Sequence, residues 1–205
     1  MTGPEAVLGL DPSLARAGIA AIVRDNPDSI ARPGVITHVG YSLREGVPWW
    51  RRSRRIITEA REIAAIIGEV HTTTPIARAV IEGPAWASNL PSKFDRDGLW
   101  WALFSILDAK RIPITVVNPT TRGKFITGRA PNGMKPGEHK KLVLAESQAT
   151  WFDDQHRIKN HDQADALGLA HMGALDLGWR LPVDTRRRHV ENIALVDWET
   201  EWLAS

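Results

Sequence analysis

The sequence predicts an α/β domain, a mixed five-stranded sheet flanked by helices, and three observations predict it. Two continuous apolar runs, residues 6–10 and 79–81, each end on an acid with a proline close behind: Asp11-Pro12 and Glu82-Gly83-Pro84. Such runs suit strands buried on both faces, and a proline, with no N–H for the ladder, stops them at the sheet rim. Between the two lies a long segment of helical period, and a strand–helix–strand connection implies parallel pairing. The link from Pro12 to Ala17 is too short for a crossover, so the strand after it pairs antiparallel and the sheet is mixed.

The 205 residues fit one large domain, residues 1–178, with an extension over 179–205. A hydrophobic share of 43% allows a sizeable core. The absence of cysteine excludes a disulfide framework and a thiolate metal site, and fits a reducing, cytoplasmic setting. No apolar run has the length of a membrane span, and the opening Met1-Thr2-Gly3-Pro4-Glu5 has no signal-peptide pattern. The net charge is only +2, but arginines cluster at Arg51, Arg52, Arg54 and Arg55 and again at Arg186, Arg187 and Arg188. Local basic patches matter more than the sum when the partner is a polyanion.

In chain order, residues 6–11 form the first strand, 18–23 the second and 35–41 a third of alternating, edge-strand character, after a turn-rich stretch over 25–33. Over residues 49–70, Ile56, Ile57, Ala60, Ile63, Ala64, Ile67 and Val70 make one apolar stripe, with arginine and glutamate on the rest. The fourth strand runs over 78–82. A helix over 95–110 carries Leu99, Trp100, Trp101, Leu103, Phe104, Ile106 and Leu107. So wide and aromatic an apolar arc points to a contact with a second subunit. Residues 112–117 are the fifth strand. Residues 120–137 read as a long functional loop with Arg122, Lys124, Arg129 and Lys135, and 138–151 as a helix with Lys140 and Lys141 near its start.

Asp162 and Asp165 are three apart at the start of a last helix, so they emerge on one face. A helix cap explains one aspartate and leaves the pair unexplained. The small apolar run Ala166, Leu167, Leu169, Ala170 is suited to packing on the sheet, which aims both acids at the strand ends. Asp11, Glu82, Asp162 and Asp165 thus form a candidate set of hard oxygen ligands, suited to Mg²⁺, with Mn²⁺ as a substitute. Two such ions roughly 4 Å apart clamp the attacking water and the leaving oxygen of a phosphodiester. His161 adjoins Asp162 but reads as a surface or capping residue, and His171 as structural.

The ordered set Leu8-Gly9-Leu10-Asp11-Pro12-Ser13, Ala79-Val80-Ile81-Glu82 and Asp162-Gln163-Ala164-Asp165-Ala166-Leu167 resembles the RuvC-type Holliday junction resolvases of the RNase H-like superfamily. The resemblance covers about residues 6–177. It implies an RNase H-like fold and a Mg²⁺-dependent crossover junction endodeoxyribonuclease. Such an enzyme acts as a homodimer on branched DNA, above all the four-way junction. The four carboxylates match the family's metal ligands position by position. The resemblance also implies DNA-binding roles near the scissile phosphate for Lys124 and Lys140, with Arg122 and Lys141 as near alternatives. Trp86 is the aromatic offered to the junction, one position from the family's place, and Ser13 stands where these resolvases carry Gly. Rival readings are another nuclease on this fold, for branched-DNA debranching or structured-RNA processing, and a non-catalytic DNA-binding relative. A sugar-kinase or actin-type ATPase needs glycine-rich phosphate loops, and Pro12-Ser13-Leu14-Ala15-Arg16 supplies none.

Overall fold

A computed structural model describes residues 3–44, 46–84, 93–135 and 137–198. Five strands, β1 (Glu5–Asp11), β2 (Ala17–Arg24), β3 (Arg32–Val39), β4 (Ile76–Glu82) and β5 (Ile114–Val117), form one sheet in the order β3-β2-β1-β4-β5. β1 pairs antiparallel with β2 and parallel with β4, so the mixed sheet expected from the connection lengths is present. Asp11 lies opposite Gly18, and Glu82 opposite Val117, so β1 and β4 deliver their acids to the same end of the sheet. β3 is an edge strand and begins earlier than its alternation suggests. Arg32 and Pro33 pair with Val23 and Ile22, and an edge position tolerates a proline with no N–H to donate.

Helices cover both faces. On one, α1 (Trp49–Thr73) and α2 (Lys93–Ala109) bury Ile63, Ile67, Leu99, Leu103 and Leu107 against Leu8, Leu10, Ile19 and Ile81. On the other, α3 (Pro119–Thr127), α4 (Glu138–Thr150) and α5 (His161–Asp176) pack on Val7, Ala20, Ile22 and Val80. The alternation of Leu8 and Leu10 with Val7 and Gly9 is the pleat dividing one strand between two cores. A six-residue 3₁₀ segment, Phe152–Arg157, links α4 to α5. Among the described residues, no helix is long and apolar enough to cross a membrane.

α5 lies against the sheet at backbone distance. A methyl group at Gly9 would stand 2.0 Å from the Ala166 carbonyl oxygen, and one at Gly18 2.0 Å from that of Asp162. Glycine at these positions is therefore a condition for the approach of the helix. Beyond α5, Trp179 is buried beneath the Arg24 guanidinium, whose carbon lies 4.4 Å from the ring centroid. A short helix, α6 (Arg187–Ile193), packs against α3, and Arg188 pairs with Glu146 of α4 at 3.0 Å.

Residues 120–137, expected as a loop, contain most of α3 instead. Its signals are local: the Asn118 side chain caps the helix by accepting from the Thr120 N–H at 2.8 Å, and Pro119 takes the first helical position. Gly128 ends it with φ of 74°, its N–H returning to the Lys124 carbonyl.

Candidate metal and nucleic-acid site

The four acids come from three elements. Asp11 ends β1, Glu82 ends β4, and Asp162 and Asp165 occupy the first turns of α5. Asn160, not Asp162, caps α5, its side chain accepting from the Gln163 N–H at 2.9 Å. The capping need is met elsewhere, and both aspartates turn inward and are buried.

Three of the acids, Asp11, Glu82 and Asp165, meet at Arg122. Its guanidinium forms an ion pair with Glu82, lies 3.1 Å from Asp165 Oδ1 and 3.9 Å from Asp11 Oδ1. Arg122, expected to face DNA, is itself buried on the inward side of α3 beside Phe125 and Ile126. Asp162 is held separately, by Arg16 Nε at 3.3 Å and His161 Nε2 at 3.2 Å. Arg16, half exposed in the link between β1 and β2, was not singled out by the sequence. Only its position after a strand-ending acid hints at it.

Burial dominates the electrostatics. It raises the Asp11 carboxyl to a pKa of about 7, against the pull of Arg122 and with a further push from the charges of Asp165 and Asp162. Burial likewise raises Asp165 to about 6, again opposed by Arg122. Lys140 is exposed at the start of α4, and its charge lowers both carboxyls. Burial lowers the pKa of His161, opposed by Asp162, which favours its neutral imidazole. Lys124 and Lys141 are exposed on α3 and α4, and neither pairs with the four acids among the described residues. Trp86 lies outside the described residues. His171 sits in a buried aromatic cluster with Phe125, Trp151 and His189, away from the acids.

Among the described residues, no three His, Asp or Glu side chains are disposed to hold one ion as they stand. The guanidinium of Arg122 lies among them. The donor set nevertheless fits a divalent cation. It is all carboxylate, and Asp162 Oδ2 and Asp165 Oδ1 are buried with no hydrogen bond, compensated only by ion pairing to Arg16 and Arg122.

Neither protein-family models nor curated protein sequences give a match. Solved structures do, and they define the class of fold: the RNase H-like fold of the Holliday junction resolvases. Thermus thermophilus RuvC, in complex with a Holliday junction substrate, matches with a TM-score of 0.58 at 14% identity, over 85% of this chain and 96% of that one. A second structure of T. thermophilus RuvC matches at 0.56 with 15% identity, over 87% and 99%. The fowlpox virus Holliday junction resolvase matches at 0.51 with 13% identity, over 84% and 99%. The resemblance carried by the three acidic motifs is thus a resemblance of the whole fold.

Proposed function

We propose that this chain is a structure-selective endonuclease that hydrolyses phosphodiester bonds in branched DNA, with the four-way junction as its foremost substrate. The observation that carries the reading is the meeting of Asp11, Glu82 and Asp165, from β1, β4 and α5, around one guanidinium at the strand ends, with Asp162 one turn before Asp165 on the same helix and paired to Arg16. The likeness to RuvC bound to a Holliday junction substrate supports the choice of substrate.

Asp11, Glu82, Asp162 and Asp165 would hold the divalent cation, Mg²⁺ or Mn²⁺. When bound, it supplies an activated water for in-line attack on phosphorus and charge stabilisation for the departing oxygen. The chain's own cations do the rest. Lys140, exposed beside the acids, holds the phosphate against their negative charge, and half-exposed Arg16 takes a neighbouring phosphate at the rim. His161 keeps Asp162 oriented through their 3.2 Å contact. Two strands of a symmetric junction need two such sites. α2 offers the means of pairing them, since Phe94 and Trp101 leave 78% and 61% of their surface exposed on the helix beside the site.

The test is cleavage of a labelled four-way junction with Mg²⁺ and with EDTA, alongside a flap and a structured RNA. Asp11→Asn and Glu82→Gln are expected to lose cleavage by roughly a thousandfold or more while binding the junction within a few-fold of wild type. Binding lost in step with cleavage, or cleavage retained, refutes the assignment. Cleavage confined to the RNA moves the chain to the processing nucleases.

A further inference from the structure

The tip of α1 presents a basic aromatic surface that the four acids do not use. Trp49 and Trp50, consecutive at the start of the helix, keep 70% and 53% of their surface exposed. Guanidiniums flank both rings. Arg52 stands 4.0 Å above Trp49, and Arg51 and Arg54 stand 5.2 and 5.1 Å from Trp50. Arg52 and Arg55 are committed inward, both to Asp95 of α2. Arg51 and Arg54 are exposed and have no carboxylate partner among the described residues, and the first turn of α1 contains no acid.

The topology sets this surface on the same side of the molecule as the acids. β3 runs parallel to β1, because each is antiparallel to β2, and it ends at Val39 opposite Ala17, next to the Gly18 that faces Asp11. The chain then enters α1, so the helix begins at the acidic end of the sheet and runs away from it. Hydrogen bonds through α2 link this surface to the site. Asp95 receives Arg52 and Arg55 at 2.9–3.0 Å, and on the same helix Trp100 donates its indole N–H to the Glu82 carbonyl at 2.8 Å.

We infer that the α1 tip is a second nucleic-acid contact, in which Trp49 and Trp50 stack on unpaired bases while Arg51 and Arg54 hold the phosphates of a strand running to or from the acids. Aromatic platforms interleaved with guanidiniums are the chemistry that grips single-stranded nucleic acid without reading sequence. A second copy of this chain is the poorer occupant. A two-fold contact lays a patch on itself, and here it would set four unpaired arginines against one another. The inference rests on the proposed nuclease reading and names where a strand leaving its site is held.

The experiment uses the full chain with a fluorescein-labelled junction carrying unpaired bases at its centre. Anisotropy is read in EDTA over a salt series, and mass is measured by light scattering. Arg51→Gln/Arg54→Gln is expected to lower the slope of log K against log salt by about 1.4 to 1.8, as two lost phosphate contacts require. Trp49→Ala/Trp50→Ala is expected to weaken binding roughly tenfold or more with the slope unchanged. If both variants bind as wild type does while wild type cleaves, the inference falls and the nuclease reading stands. If the tryptophan variant turns a dimer into a monomer, the tip is a subunit contact and the inference falls. If wild type neither binds nor cleaves, the nuclease reading falls and takes the inference with it.

Discussion

Gly18→Ala asks whether the backbone of β2 holds the acids of α5 in place. The added methyl would lie 2.0 Å from the Asp162 carbonyl oxygen, 2.6 Å from its carbonyl carbon and 3.1 Å from the Ala166 Cβ. Contacts below 3.0 Å do not persist, and the atoms in the way are helix backbone, which has no rotamer to change. The first turn of α5 must therefore retreat by about 1 Å, taking Asp162 and Asp165 with it. Overpacking of this kind costs about 3 kcal/mol, the upper end of its usual range, because backbone cannot repack. For a domain of this size that lowers the melting temperature by roughly 6–12 °C. At a temperature where the variant is still folded, a displacement of about 1 Å in the acids proposed as catalytic is expected to cost about a hundredfold in the proposed junction cleavage. Thermal unfolding by circular dichroism and single-turnover cleavage below both midpoints are the assays. Gly68→Ala is the control: it lies inside α1, its nearest neighbour would be Lys110 Nζ at 3.9 Å, and it is expected to gain roughly 0.5–1 kcal/mol. A Gly18→Ala protein that melts with wild type, or cleaves at its rate, refutes the claim that this close approach sets the site.

Two further expectations come from buried charge. Arg122→Gln leaves Glu82 and Asp165 without their guanidinium, and at pH 8 in EDTA it is expected to destabilise the chain by about 3–5 kcal/mol. In a thermal-shift titration, Mg²⁺ is then expected to stabilise the variant more than wild type; an unshifted melting point in EDTA contradicts the counter-charge role. Glu59, fully buried in α1 and accepting the Tyr41 N–H at its Oε1, has its pKa raised to about 7, chiefly by burial, against the pull of that N–H and of Arg55. A carboxyl whose pKa rises on folding contributes stability below its unfolded value, and that stability is lost as pH climbs through the folded one. Glu59→Gln is therefore expected to melt higher than wild type at pH 8, with the gap closing between pH 7 and pH 4.5; a gap independent of pH contradicts the ionisation account.

The three acidic motifs were legible because each is punctuated locally. Proline after Asp11 and after Glu82 marks where a buried strand must stop, and the spacing of Asp162 and Asp165 puts them on one helix face. α3 was missed because it has only nine residues and little amphipathic contrast, although Asn118-Pro119 and Gly128 announce both its ends. With that helix recognised, Arg122 would have fallen on the face of Phe125 and Ile126, at i+3 and i+4, and not towards solvent. Arg16 had no such marker. Its role depends on where the turn after Asp11 lies relative to α5.

By itself, the sequence determined the mixed sheet, the order of its elements and which strand ends bear acids, because hydrophobic period, proline and glycine act over a few residues. Only the tertiary structure decided what the acids face. Arg122 and Asp165 are far apart in the chain, and their meeting depends on α5 approaching β1 and β2 to backbone contact at Gly9 and Gly18. Burial follows from that approach, and with it the raised carboxyl pKa values of Asp11 and Asp165 and the role of Arg122 as their counter-charge. These are properties of packed distance, which no local pattern encodes.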